Sequence, residues 1–294
     1  MSDVIQVASP CAWEVDGLTY RGLAWGPRDG RPVLALHGWM DHADSFGVIA
    51  PLLTGCHVVA LDLSGQGMSD HRVAHASYNL WDDLPQIASI LELLGWDRCV
   101  MMGHSRGANI ATLFAAAQPD RVNALVALDS LVPEPSDLTI VETLSAFVTQ
   151  TKRQMARPPR SFASREEYLE RRAAQGNATA VSERLADRAL METSDGFILR
   201  GDPRLFASSA VKLDQKDVED VLAALSCPVL NVWARHGIKS TRAKILATAR
   251  LAEERVADYR SLDIDGDHHF HMAPDAAAHI ADTILEFLGH NSTA

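Results

Sequence analysis

Few folds can accommodate the pentapeptide Gly103-His104-Ser105-Arg106-Gly107 where it stands, between the apolar run Cys99 to Met102 and the helix-like stretch Ala108 to Ala117. A serine on so sharp a strand-to-helix turn takes a strained backbone conformation, and glycines two residues to either side leave room for it. The turn lifts the hydroxyl clear of a sheet. It also sets the serine at a helix N-terminus, where free N–H groups and the helix dipole favour the negative charge that develops in acyl transfer. The pattern G-x-S-x-G is common by chance but much rarer between a strand and a helix, so Ser105 is read as a candidate nucleophile.

The rest of the chain supplies a setting of the same kind. Short apolar, β-branched runs recur with helical patterns between them, as in a mostly parallel sheet covered by helices. Eight strands are predicted, at 12–15, 18–24, 33–36, 57–61, 98–102, 124–128, 228–233 and 259–264. Asp16-Gly17 fits a tight turn joining the first two, so the sheet opens antiparallel. Leu84, Ile87, Ile90, Leu91 and Leu94 stripe one helix, which Gly95 ends, and Pro274 opens a last helix lined by Ile280, Ile284, Leu285 and Leu288. With 47% hydrophobic residues in 294, the core can be large. The interval from about 134 to 226 is too long for a simple crossover and holds helical patterns of its own, including Ser164 with Glu167 three residues on. It is read as a helical cap, with 1–133 and 227–294 forming the two parts of the core.

Charge and cysteine usage narrow the function classes. Lys and Arg total 27 against 38 Asp and Glu, a net charge of -11 with no basic run, so nucleic acid and anionic membranes are not expected partners. Cys11, Cys56, Cys99 and Cys227 follow no metal or disulfide spacing, which suits a reducing compartment. The first ten residues lack a leader pattern and no run is long enough to span a bilayer, so the expected location is the cytoplasm.

An activated serine needs a base and an oxyanion site. His37-Gly38-Trp39 ends the strand Val33 to Leu36 and opens onto the same rim as Ser105. The backbone N–H groups of Trp39 and Arg106 can then converge as an oxyanion hole. His37 is read chiefly as a tie between loops, and with His104 it is also a candidate for the pocket wall. Of the twelve histidines, His268, His269 and His271 stand between the last strand and the last helix, where a base would come from. Metal binding is the competing use of this cluster, but no cysteine or acidic group elsewhere has the spacing to complete a set.

Leu36-His-Gly-Trp-Met-Asp, Asp62-Leu-Ser-Gly-Gln-Gly-Met-Ser, Gly103-His-Ser-Arg-Gly and Leu128-Asp-Ser-Leu, in that order, resemble the blocks of the α/β-hydrolases. Asp195-Gly-Phe-Ile-Leu-Arg-Gly-Asp-Pro-Arg-Leu is similar to their serine hydrolase-like subgroup, and the resemblance covers essentially the whole chain. It implies the α/β-hydrolase fold, with an eight-stranded sheet and a cap between the sixth and seventh strands. It implies His268 as the base, two residues after Gly266, with His271 as the follower and Asp62 as a structural turn residue. It also exposes a departure. Most relatives carry the triad acid where this chain has Gly237, whereas some, including certain haloalkane dehalogenases and cofactor-free dioxygenases, carry it at the end of the strand before the cap, where this chain has Asp129. An aspartate there can also cap a turn with Ser130, and both roles stay open.

The implied activity is hydrolysis of an ester or related acyl compound through Ser105, His268 and Asp129, with no metal or organic cofactor. Cap residues Leu144, Phe147, Phe162, Phe197 and Phe206 are candidate pocket walls, which suits a neutral or apolar substrate. Two alternatives stand beside it: a cofactor-independent dioxygenase with His268 as base, and a ligand-binding protein of the same fold with little turnover.

Overall fold

The structure is a computed structural model and describes residues 7–290. The stretch read for a leader therefore falls largely outside the described residues. The first strands are β1 (Ser9–Val15), β2 (Leu18–Trp25), β3 (Arg31–Leu36), β4 (Cys56–Asp62), β5 (Cys99–His104) and β6 (Val122–Leu128), and an insertion after β6 carries the short strands β7 (Ser161–Phe162), β8 (Leu190–Thr193) and β9 (Gly196–Leu199). Two more follow, β10 (Val229–Ala234) and β11 (Tyr259–Ile264). The large sheet has eight strands in the order β1-β2-β4-β3-β5-β6-β10-β11, and β2 alone runs against its neighbours. The hairpin turn at Asp16-Gly17 has positive φ at both residues, 53° and 76°, the twist that matches a right-handed β-ribbon.

Nine helices are described: α1 (Leu84–Leu93), α2 (Arg106–Ala117), α3 (Ile140–Met155), α4 (Arg165–Ala173), α5 (Thr179–Ala189), α6 (Gln215–Ala223), α7 (Ile238–Thr241), α8 (Ala243–Arg255) and α9 (Pro274–His290). Because side chains alternate along a strand, each central strand serves two cores. Leu34 and Leu36 join Met101, Leu125 and the inner faces of α1, α2 and α6. Val33 and Ala35 join Val100, Val126 and the Ile280, Ile284, Phe287 face of α9. Burial on both faces explains why these strands read as unbroken apolar runs.

The inserted segment has two features besides the helices expected there. It contains a three-stranded antiparallel sheet, in the order β7-β9-β8, built from runs of two to four residues that are too short to show a strand period. And α6, expected within the cap, buries Val218 and Leu222 in the same apolar cluster as β5 and β6, so its packing is that of a sheet-covering helix. No helix among the described residues is long and apolar enough to cross a membrane.

Candidate active site

Strand β5 is buried along its whole length and delivers Ser105 at φ 51°, ψ -117°, the residue before α2. The two flanking glycines are required by space. A Cβ on Gly103 would lie 2.4 Å from the Ala108 nitrogen, and one on Gly107 would lie 1.9 Å from the Leu36 carbonyl oxygen. So close an approach of α2 to β5 and to the end of β3 leaves Ser105 no route but the strained turn.

His268, in the loop after β11, sets Nε2 3.0 Å from Ser105 Oγ and Nδ1 2.6 Å from Asp129 Oδ2. Asp129 follows β6, fully buried and also at positive φ, 45°. Its Oδ1 accepts the Ala234 N–H at 3.1 Å and its Oδ2 the Ile238 N–H at 3.0 Å, so both oxygens are anchored to the end of β10 and the start of α7. Gly237 is the counterpart of this arrangement. A Cβ there would meet Asp129 Oδ2 at 2.2 Å, so the position that resembles the usual acid site is the space the Asp129 carboxylate fills.

The loop after β3 holds Trp39, whose backbone N–H has no hydrogen-bond partner among the described residues. The Arg106 N–H opens α2 and so lacks an intrahelical acceptor. Both residues border the cavity with Ser105, while the Arg106 guanidinium donates to the Tyr78 carbonyl at 3.2 Å. The Trp39 indole reaches into the inserted segment, donating to the Leu205 carbonyl at 3.1 Å and meeting Phe206 edge to face at 4.8 Å.

Behind the serine and histidine lies a buried polar layer that sequence reading missed. Asp41 Oδ2 lies 3.3 Å from His269 Nε2 and 3.6 Å from His104 Nδ1. Burial opposes the Asp41 charge, but His269, which faces it as a donor, leads the interactions that hold the carboxyl well below its usual range. His269 is pushed down by burial and pushed up more strongly by Asp41, for a net rise. Burial drives His104 down to about 4, so it is neutral, and its Nε2–H donates to the His268 carbonyl at 2.8 Å. His271, its ring tilted against His104 at a centre distance of 4.1 Å and without a hydrogen-bond partner among the described residues, is likewise depressed by burial. The block ending at Asp41 was visible in sequence, but nothing local showed that three separate segments, the loop after β3, the end of β5 and the stretch after β11, bring these groups together.

Ser105, Arg106, Trp39, His268, Phe162 and Phe206 all border one cavity of about 690 Å³. Five other candidates do not, Leu144 and Phe197 of the inserted segment among them. His37 is fully buried, its Nδ1–H donating to the Gly38 carbonyl at 2.7 Å and its Nε2 accepting the Leu63 N–H at 2.9 Å, which ties the loops after β3 and β4. His104 sits beneath the cavity floor, and Phe147 faces a separate crevice with Tyr78 and Arg204, because α3 turns that side away. Asp62 accepts the Ala43 N–H at 2.7 Å and the Met68 N–H at 2.8 Å and pairs with Arg188 of α5. Among the described residues, no group of three or more His, Cys, Asp or Glu is arranged to hold a metal.

A family model described as the alpha/beta hydrolase fold matches residues 31–272. A serine hydrolase-like protein of Dictyostelium discoideum is 30% identical over 92% of this chain and 79% of its own length. The human serine hydrolase-like protein 2 is 27% identical over 90% of this chain and 89% of its own. Among solved structures, a hypothetical protein of Pseudomonas aeruginosa PAO1 is 30% identical with a TM-score of 0.89, covering 97% of this chain and 100% of that one. A thioesterase domain from the curacin biosynthetic pathway, 23% identical with a TM-score of 0.80 over 95% and 99% of the two chains, shares the fold. On the matched residues and these relatives, the chain belongs to the α/β-hydrolase family and, within it, to the serine hydrolase-like proteins.

Proposed function

We propose that this protein hydrolyses a carboxylic ester or related acyl compound, with Ser105 as nucleophile, His268 as general base and Asp129 as the triad acid. The observation that carries the reading is the continuous contact from Ser105 Oγ through His268 to Asp129, 3.0 Å and 2.6 Å, at the edge of a cavity. As Ser105 Oγ bonds to the substrate carbonyl carbon, its proton passes to His268 Nε2, and the carbonyl oxygen becomes an oxyanion facing the Trp39 and Arg106 N–H groups. Collapse breaks the bond to the leaving group, which takes the proton from His268. A water then gives its proton to His268 and its oxygen to the acyl carbon, releasing the acid and restoring Ser105. Asp129 keeps the Nδ1–H in place and stabilises the imidazolium at each stage.

The segment between β6 and α6 acts, in this reading, as a lid that supplies one wall of the pocket. A cytoplasmic location is part of the same proposal, supported by four unpaired cysteines, three of them buried. The test pairs a fluorophosphonate probe with p-nitrophenyl esters of rising chain length. Wild type is expected to label and to turn over, and Ser105→Ala to do neither while remaining folded. Labelling without turnover would favour the ligand-binding alternative. Ester turnover by Ser105→Ala near the wild-type rate would sink the proposal.

A further inference from the structure

The inserted segment lines the cavity with a repeated device. The guanidinium of Arg160 lies 5.5 Å from the ring centre of Phe206, that of Arg171 5.3 Å from Phe162, and that of Arg172 5.8 Å from Tyr168. All six residues border the cavity that holds Ser105 and His268. A guanidinium held over a ring can still turn N–H donors toward an acceptor, in the fork geometry that matches a carboxylate or phosphate.

The charge balance of this wall is one-sided. Arg171 has Glu167 at 2.5 Å, one helical turn back. Arg172 bonds only neutral groups, Ser182 Oγ at 3.3 Å and Asn177 Oδ1 at 3.2 Å. No carboxylate pairs with Arg160 or Arg172 among the described residues. The two acids that border the cavity are engaged elsewhere, Asp41 with His269 at 3.3 Å and Glu134 with Arg242 at 3.6 Å. A cavity with surplus positive charge, in a chain whose net charge is -11, is a local reversal that concentrates anions at one place.

We propose that the arginine–aromatic wall is an anion subsite, and that the acyl compound processed at Ser105 carries a carboxylate or phosphate remote from its scissile carbonyl. The inference rests on Ser105 being the nucleophile. It departs from the neutral, apolar substrate that the cap phenylalanines suggested, because the rings that reach the cavity bring arginines with them. Whether the anion sits on the acyl part or the leaving group is resolved by two matched pairs of substrates. Mono-p-nitrophenyl succinate against p-nitrophenyl butyrate places a carboxylate on the acyl chain at equal length. Butyryl-coenzyme A against S-butyryl-N-acetylcysteamine places phosphates on the leaving group.

In at least one pair the charged substrate should exceed its neutral partner by about tenfold or more in kcat/KM, with the ratio shrinking as NaCl rises from about 0.05 M to about 0.5 M. Arg160→Gln with Arg172→Gln should lower that ratio by about tenfold, and the corresponding double Lys variant should keep a good part of it, since charge survives while the fork is lost. Ratios near or below one in both pairs, or a ratio untouched by the Gln substitutions, would overturn the anion subsite. Fluorophosphonate labelling separates the two levels of failure. A protein that labels at Ser105 but shows no charge preference loses the subsite alone, whereas one that neither labels nor turns over any substrate loses the nucleophile and the subsite with it.

Discussion

Asp129→Asn tests the site most sharply, because the carboxylate has an asymmetric set of partners. Oδ1 receives one donor, the buried Ala234 N–H, and Oδ2 receives two, the half-buried Ile238 N–H and His268 Nδ1. Asparagine offers a single acceptor oxygen, so one backbone N–H must face its amide. Leaving the Ala234 N–H without an acceptor in the interior costs about 1–3 kcal/mol, whereas the Ile238 N–H can turn to water. The amide should therefore take the Oδ2 position and donate to His268 Nδ1. That forces the imidazole proton onto Nε2, toward Ser105, and the base can no longer take the serine proton. The expected loss in kcat is about 10⁴, or about 5 kcal/mol of transition-state stabilisation, against a stability loss of only about 1 kcal/mol. Initial rates on the best p-nitrophenyl ester, together with the rate of fluorophosphonate labelling, measure the first, and a denaturant midpoint measures the second. An Asp129→Asn protein within about tenfold of wild type in both rates would refute the assignment and the tautomer argument with it.

Other perturbations should separate positions that lie close together. His268→Ala should cost about 10³ to 10⁴ in kcat/KM, while His269→Ala and His271→Ala act mainly through packing and the Asp41 contact, and a reversed ranking would move the base to a neighbour. Gly237→Ala should cost about 10² in kcat, since its Cβ would stand 2.2 Å from Asp129 Oδ2 and push the carboxylate off His268 Nδ1, and wild-type activity in this variant would contradict the packing. Burial holds His104 and His271 below the ordinary histidine range, so the unfolded chain takes up protons from about pH 6.5 downward while native His104 does so only near pH 4. A depressed folded-state pKa gives stability that is whole above about pH 6.5 and is lost as pH falls toward 4, by at most about 1.4 kcal/mol per pH unit for each group. His271→Leu should flatten that decline, as read from denaturant midpoints at neutral and mildly acidic pH, and an unchanged slope would count against a buried neutral imidazole.

The parts legible in the sequence are those that repeat or punctuate. All eight strands of the large sheet were placed to within a few residues, because strands buried on both faces appear as compact apolar runs between glycines, prolines and polar turns. The expectation for Ser105 came from two glycines whose spacing has a steric cause, and that for Asp129 from a glycine, Gly237, standing where most relatives carry the acid. What stayed hidden depends on contacts between distant segments. Strand β7 is two residues long, and no period can be read from two residues. The facing direction of Phe147, the docking of α6 on the sheet and the pairing of Arg172 with Tyr168 are fixed by packing, and a helix pattern carries them only as one face among several. The layer of Asp41, His104, His269 and His271 is drawn from the end of one strand and two connecting segments distant in sequence, which no single period links.

The contact between Gly237 and the Asp129 carboxylate has a consequence for how such a site can change over a mutational path. The end of β6 and the start of α7 form one socket with room for one carboxylate, because a Cβ at 237 and the side chain at 129 claim the same volume. Adding the second acid first, by Gly237→Asp, crowds two like charges into that volume. Removing the first acid first, by Asp129→Gly, leaves the imidazole without a partner. Either single step is therefore defective, and only the joint exchange refills the socket, so the two arrangements are separated by a valley that one substitution at a time does not cross. A Gly237→Asp single variant with undiminished turnover would flatten that valley.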